Sequence, residues 1–144
     1  MANLKKILKE AAIGAVVPGS IAYNCARGMV EWDKADDIKA GIRQDNKTTL
    51  KDRFYGGILA AYTGIYDLGI YALYGASFAT ATGIDIFGMG DKFSSNPHYA
   101  AAAGIGLFTA GARAGLNILY KEHFNEQHKE VVKNLEEKGL VLTQ

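Results

Sequence analysis

Two long stretches of this 144-residue chain are almost free of charge. From Phe54 to Phe87 the ionisable side chains other than tyrosines are Asp67 and Asp85. From Tyr99 to Leu119 there is only Arg113. The charges crowd instead into residues 31–53 (EWDKADDIKAGIRQDNKTTLKDR) and 121–138 (KEHFNEQHKEVVKNLEEK). An apolar run of about 18 residues or more is a membrane-helix candidate, since about 20 residues cross the hydrocarbon core. Both stretches are long enough. Both are weakly hydrophobic, built on Ala, Gly, Tyr and Thr more than on Leu, Ile and Val. The segregation favours an all-α fold around an Ala/Gly-rich transmembrane helical hairpin. The competing reading is a soluble helical bundle with an Ala/Gly-rich core.

Chain averages conceal this layout but exclude several classes. Mean hydropathy is −0.03, an ordinary soluble-protein value. With 49% hydrophobic residues, the chain is neither collagen-like nor disordered. Sixteen Lys and Arg against fifteen Asp and Glu give a net charge of +1, so no phosphate-neutralising surface and no nucleic-acid partner are expected. The single Cys25 excludes an internal disulfide framework. One domain over 1–144 is expected at this length. Within it, 1–49 forms amphipathic and charged N-terminal helices, 50–120 a membrane hairpin, and 121–144 a soluble C-terminal helix and tail.

Asn3 can cap a first helix over about 4–17, with Leu4, Ile7, Leu8 and Ala11 on one face and Lys5, Lys6 and Lys9 on the other. Pro18-Gly19 breaks it, and Ser20 can cap a second helix over about 20–44. Thr49 followed by Asp52 is a capping-box variant that starts a third helix, over about 50–82. GIDIFGMGDKFSSNP reads as a loop. Asn96 as cap and Pro97 at the first helical position open a fourth helix, over about 97–138, which Gly139 ends. At 1.5 Å per residue that helix is about 60 Å long, half of it in the membrane and half in water.

Positive charge orients the hairpin. Fourteen of the Lys and Arg residues lie on the side of the chain ends, and the connecting loop 83–98 carries only Lys92. Cytoplasmic segments are rich in Lys and Arg, so both termini belong on the inner side. A third span at 11–30 is the rival; it would split those charges and contains Pro18, Asn24 and Arg27. The start of the chain has the outline of a signal peptide, with Ser20-Ile21-Ala22 as its cleavage site. Glu10 and the charge bias speak against that reading.

Around the third helix, at 100° per residue, Gly57, Ala61, Gly64, Ala72, Gly75 and Ala79 form a smooth arc opposite Tyr55, Leu59, Tyr62, Tyr66 and Leu73. In the fourth, Ala102, Ala103, Gly106, Ala110, Arg113 and Asn117 share a face, and Gly111 and Gly115 add a GxxxG spacing. Small residues so spaced let helices approach closely in lipid. Charges inside a membrane segment are expensive and pair or face a cavity. In a hairpin turning near residue 90, Asp67 and Arg113 lie at the same depth. They are expected to meet as a structural ion pair, with Asn117 and Tyr66 or Tyr71 beside them.

Other constellations carry no chemistry. His123 and His128 are five apart, not the three or four that share a helical face, so no metal site is expected. Cys25 has no base nearby in sequence. The GxG in GIDIFGMGD lacks a preceding strand, so no nucleotide or other cofactor is expected. Asp85 and Asp91 read as solvated loop acids. Tyr120, Phe124, Val131 and Leu135 form a stripe for a partner helix or for the chain's own residues 20–44. The expected function is therefore non-enzymatic, with no small-molecule substrate identified. The chain reads as a small integral membrane protein with a structural or assembly role, packing with copies of itself or other membrane subunits. It would be a membrane-complex subunit or a membrane-embedded virion component. The alternatives are an oligomeric pore of the holin type, lined by Asp67, Arg113, Asn117 and Thr80, and a soluble helical interaction protein.

Overall fold

A computed structural model describes residues 2–81 and 96–140, and among these it is all-helical. The helices are α1 (Ala2–Val16), α2 (Ser20–Lys39), α3 (Leu50–Ala81) and α4 (Asn96–Glu137). Residues 82–95, which hold Asp85, Asp91 and Lys92 of the expected loop, lie outside the described residues, as do the side chains of Thr80, His98 and Ala102.

Local chemistry sets the boundaries. The Thr49 amide donates to Asp52 Oδ2 at 2.7 Å and the Asp52 amide to Thr49 Oγ1 at 3.2 Å, the reciprocal bonds of a capping box. Asn3 and Ser20 do not cap; both lie inside their helices, and Gly19 (φ 80°) takes the position before α2. Helix α2 stops at Lys39, five residues short of the expected 44. Gly41 (φ 78°) ends it: its amide bonds Ile38 O at 3.0 Å and the Ile42 amide bonds Asp37 O at 2.9 Å. That is a Schellman motif, whose left-handed position suits Gly. Gly139 (φ 66°) ends α4 in the same way, with the Leu140 amide on Leu135 O at 2.9 Å.

Helix α4 is the spine. Helix α1 lies antiparallel to it, with Glu10 bonded to Asn117 and Gly14 to Arg113. Helix α2 runs parallel to it: Asn24 meets Asn117, Glu31 meets His128 and Ala35 meets Asn134. Helix α3 runs antiparallel to α2, with Gly56 beside Val30 and Gly64 beside Ala22. Along this spine the molecule has two unlike ends. At the charged end Ala35, Ile38, Val131 and Leu135 form a buried apolar core with Leu140 packed on it. So the Val131–Leu135 stripe is covered by the chain's own α2. At the other end the buried side chains of α3 and α4, among those described, are polar: Asp67, Ser77, Thr109, Arg113 and Asn117.

The small-residue faces are not where this chain packs tightest. Among the described residues, a Cβ added at Gly57, Gly75, Gly111 or Gly115 would meet nothing within 4 Å. Ala61 is exposed, Ala79 and Ala110 are half-buried, and Gly106 is buried. Gly64 has one neighbour, the Ala22 methyl at 3.9 Å. The smooth arc of α3 sits more than a third of a turn from the arc bearing Thr63, Asp67 and Ser77, and that polar arc faces inward. The close approaches belong to the N-terminal helices. A Cβ on Gly14 would lie 2.5 Å from Asn117 Cβ and 2.8 Å from the Arg113 carbonyl. One on Gly28 would lie 2.7 Å from the His123 ring.

Among the described residues no helix is long and apolar enough to cross a membrane, so the transmembrane reading of 55–82 and 99–120 finds no support in hydropathy. Gly, Tyr and Thr dilute both helices, and Asp67 and Arg113 count fully against them.

Candidate functional site

The expected polar pair is the hub of the end whose buried side chains are polar. The Arg113 guanidinium, fully buried, forms an ion pair with Asp67 and also donates from Nη1 to the Asp67 carbonyl at 3.0 Å. Its Nε donates to Gly14 O and its Nη2 to Val17 O, each at 2.9 Å. These carbonyls lie at the end of α1, where the dipole favours a cation; Gly14 O has no amide to take because Pro18 stands four residues on, and Val17 O takes only the Ser20 amide, at 3.4 Å. One arginine therefore ties α1 and α3 to α4. Tyr71 lies under it, ring centre 5.3 Å from Cζ. Asn117, one turn on, donates to Glu10 O at 2.8 Å and accepts from Asn24 Nδ2 at 2.7 Å. Asp67 Oδ2 and Ser20 Oγ are buried with no hydrogen-bond partner among the described residues.

The structure thus brings Asp67, Arg113 and Asn117 into one cluster. Glu10, Gly14 and Asn24, which sequence reasoning did not place there, complete it. Gly14 carried a signal: it is the one glycine in an otherwise uninterrupted amphipathic helix.

A second polar assembly lies at the border of the two ends. Glu31 accepts from Lys34 Nζ at 2.8 Å and meets His128 Nδ1 at 2.9 Å. Burial pushes the Glu31 carboxyl up, but the hydrogen bonds from Lys34 and His128 outweigh it and hold the group below its ordinary range. Asp52 takes Arg43 at 2.7 and 3.0 Å, and burial is again outweighed, here by Arg43 and Thr49, so this carboxyl is also lowered. The contact fastens the α2–α3 connection to the start of α3. Between α2, α3 and α4 opens a cleft of about 640 Å³, with Arg27, Arg53, Gly57, Ala60 and Phe124 on its walls. Among the described residues no three His, Cys, Asp or Glu side chains converge as metal ligands.

No family model matches the chain, and no curated protein or solved structure shows a significant match to it.

Proposed function

We propose that the protein is a small, non-catalytic structural subunit that inserts α3 and the first half of α4 into a lipid bilayer and displays its charged end to partners on the inner side. One observation carries this reading: where the chain is charge-poor, it is polar inside and apolar outside. Ile65 is 71% and Phe108 79% exposed, whereas Asp67 is 2%, Arg113 0% and Asn117 0% exposed. Leu68, Leu73, Ile105 and Leu107 also face outward. A water-soluble bundle does the reverse, as the Ile38–Leu135 end does here. Exposed apolar surface this continuous marks an interaction or membrane face. Buried polar groups satisfied inside the protein are what lipid demands. Thr63, Ser77 and Thr109 follow the same logic, each donating to the carbonyl one turn back, at 2.7, 2.8 and 2.7 Å.

The charge-free part of α4, residues 99–119 but for Arg113, is about 31 Å long, which matches the hydrocarbon core. Low mean hydropathy favours a second reading, in which other protein subunits rather than lipid cover the same faces. The pore reading needs Asp67, Arg113 and Asn117 to face water; in this chain they are turned to one another and to carbonyls of α1.

The test is fractionation of the expressed full-length chain. The proposal expects the protein in membranes after alkaline carbonate washing, and release by detergent as a defined oligomer or complex. Recovery as a soluble monomer without detergent would sink it; recovery as a soluble complex would favour the second reading.

A further inference from the structure

The cleft between α2, α3 and α4 holds unbalanced positive charge above an apolar floor. Its two acids are already engaged: Glu31 by Lys34 and His128, and the Asp52 carboxylate by Arg43 and the Thr49 amide. Arg27 and Arg53 are not: among the described residues neither guanidinium has a hydrogen bond or an ion pair. Yet Arg27 is held in place. Its Cζ lies 3.8 Å over the Phe124 ring centre and 5.1 Å from that of Tyr23. Phe124 is itself stacked on His128, at 6.0 Å and 18° between planes. Aromatic rings against a guanidinium face leave its N–H edge free, and that edge matches a phosphate or carboxylate bidentately. The floor beyond is Ala26, Val30, Gly56, Gly57 and Ala60. Gly56 keeps it open, because a Cβ there would press on Val30 at 3.1 Å. The floor leads to the outward apolar face of α3 at Phe54 and Ile58.

A charged head beside an apolar channel describes an amphiphile. We infer that this cleft binds an anionic phospholipid, with the phosphate on Arg27 and Arg53 and an acyl chain along Gly57 and Ala60. The inference rests on the membrane reading, because it places the cleft where the charged segment 31–53 gives way to the apolar one, at headgroup level.

The test uses the full-length protein in nanodiscs of equal parts dioleoylphosphatidylglycerol and dioleoylphosphatidylcholine, with retained lipid counted by native mass spectrometry. The expected result is one phosphatidylglycerol retained with about tenfold preference, as suits charge-assisted hydrogen bonds from two arginines. Arg27→Gln and Arg53→Gln should each reduce the preference severalfold. Arg53 is exposed, so its variant does not depend on the fold. Insertion into pure phosphatidylcholine nanodiscs with no preference in the mixed ones overturns the lipid site and leaves the membrane reading standing. Failure to enter any bilayer overturns the membrane reading instead. The cleft is then judged in water with monomeric dihexanoylphosphatidylglycerol and inorganic phosphate. Binding of the short lipid that Arg27→Gln weakens supports an amphiphile site. Binding of neither probe, or equal binding of both, overturns it.

Discussion

Arg113 should matter far more to the fold than its partner Asp67, and the structure gives the size of the difference. Replacing Arg113 by Met strands a buried carboxylate, and breaking a buried pair this way costs about 3–5 kcal/mol. It also leaves Gly14 O without a donor at the end of α1, at about 1–3 kcal/mol, and Val17 O with only the long bond from the Ser20 amide. A total above about 5 kcal/mol is a large share of the 5–15 kcal/mol, roughly, by which domains are stable. Asp67→Asn behaves differently. The side chain keeps its shape and an acceptor oxygen for Nη1. Arg113 keeps three carbonyls, the favourable end of the α1 dipole and the Tyr71 face. Its charge is not stranded, and the cost should be about 2 kcal/mol. At about 4 °C per kcal/mol for a chain of this size, the two variants should melt some 12 °C or more apart. Thermal unfolding followed by circular dichroism, in one mild detergent for all variants, measures the gap. If Asp67→Asn lowers Tm as much as Arg113→Met does, the guanidinium does not hold α1 and α4 together and the assignment of its role fails.

Gly14→Val should destabilise by about 1–3 kcal/mol, because its Cβ would lie 2.5 Å from Asn117 Cβ; a melting curve like that of the parent would refute the close approach of α1 and α4. Gly111→Leu should leave that curve unchanged, since open space surrounds the position, and a change in detergent-solubilised oligomer size would identify the Gly111 face as a contact between copies. Leu135→Ala should cost about 2–5 kcal/mol, read as a lowered Tm, because the side chain is fully buried in the apolar core. Glu31 is held below its ordinary pKa of 4.5, so its contribution to stability is complete above that pH and is lost as pH falls through the lower folded value. Glu31→Gln should flatten the acid limb of a Tm-against-pH curve, and an unchanged acid limb would refute the role given to its ion pairs.

Local chemistry was legible in the residues themselves. Thr49 and Asp52 announce the start of α3, and Gly139 the end of α4, because each signal acts within one turn. Gly41 carried the same information as Gly139 and stops α2 at Lys39; the following Arg43 read as helix because its charge pattern continued. The meeting of Asp67 and Arg113 followed from equal rise on two antiparallel helices. What could not be read was which arc of α3 faces inward. Small residues and polar residues competed for that position, more than a third of a turn apart, and the choice depends on α1 and α2. Gly14 lets α1 approach Arg113 closely enough for its end carbonyls to take the guanidinium. Those two helices were read as amphipathic accessories, whereas they supply the hydrogen-bond partners that let the polar arc turn inward: carbonyls from α1 and the Asn24 amide group from α2.

That inversion also explains why hydropathy and surface disagree. A sliding window weighs Asp67 and Arg113 as though a bilayer met them, but in the proposed insertion lipid would meet only the outward arc, and here the outward arc carries Ile58, Ile65, Leu68, Leu73, Leu107 and Phe108. The cost of the two charges is borne inside the protein, by an ion pair and by the carbonyls of Gly14 and Val17 at the end of α1, the first of which Pro18 leaves without an amide partner in any case. A helix whose polar groups are satisfied by its neighbours therefore needs less average hydrophobicity than one that enters lipid alone. On this view α1 is a condition for insertion. Deleting the acceptors at Gly14 and Val17 should expose the guanidinium to lipid and expel the hairpin, even though neither α3 nor α4 has changed.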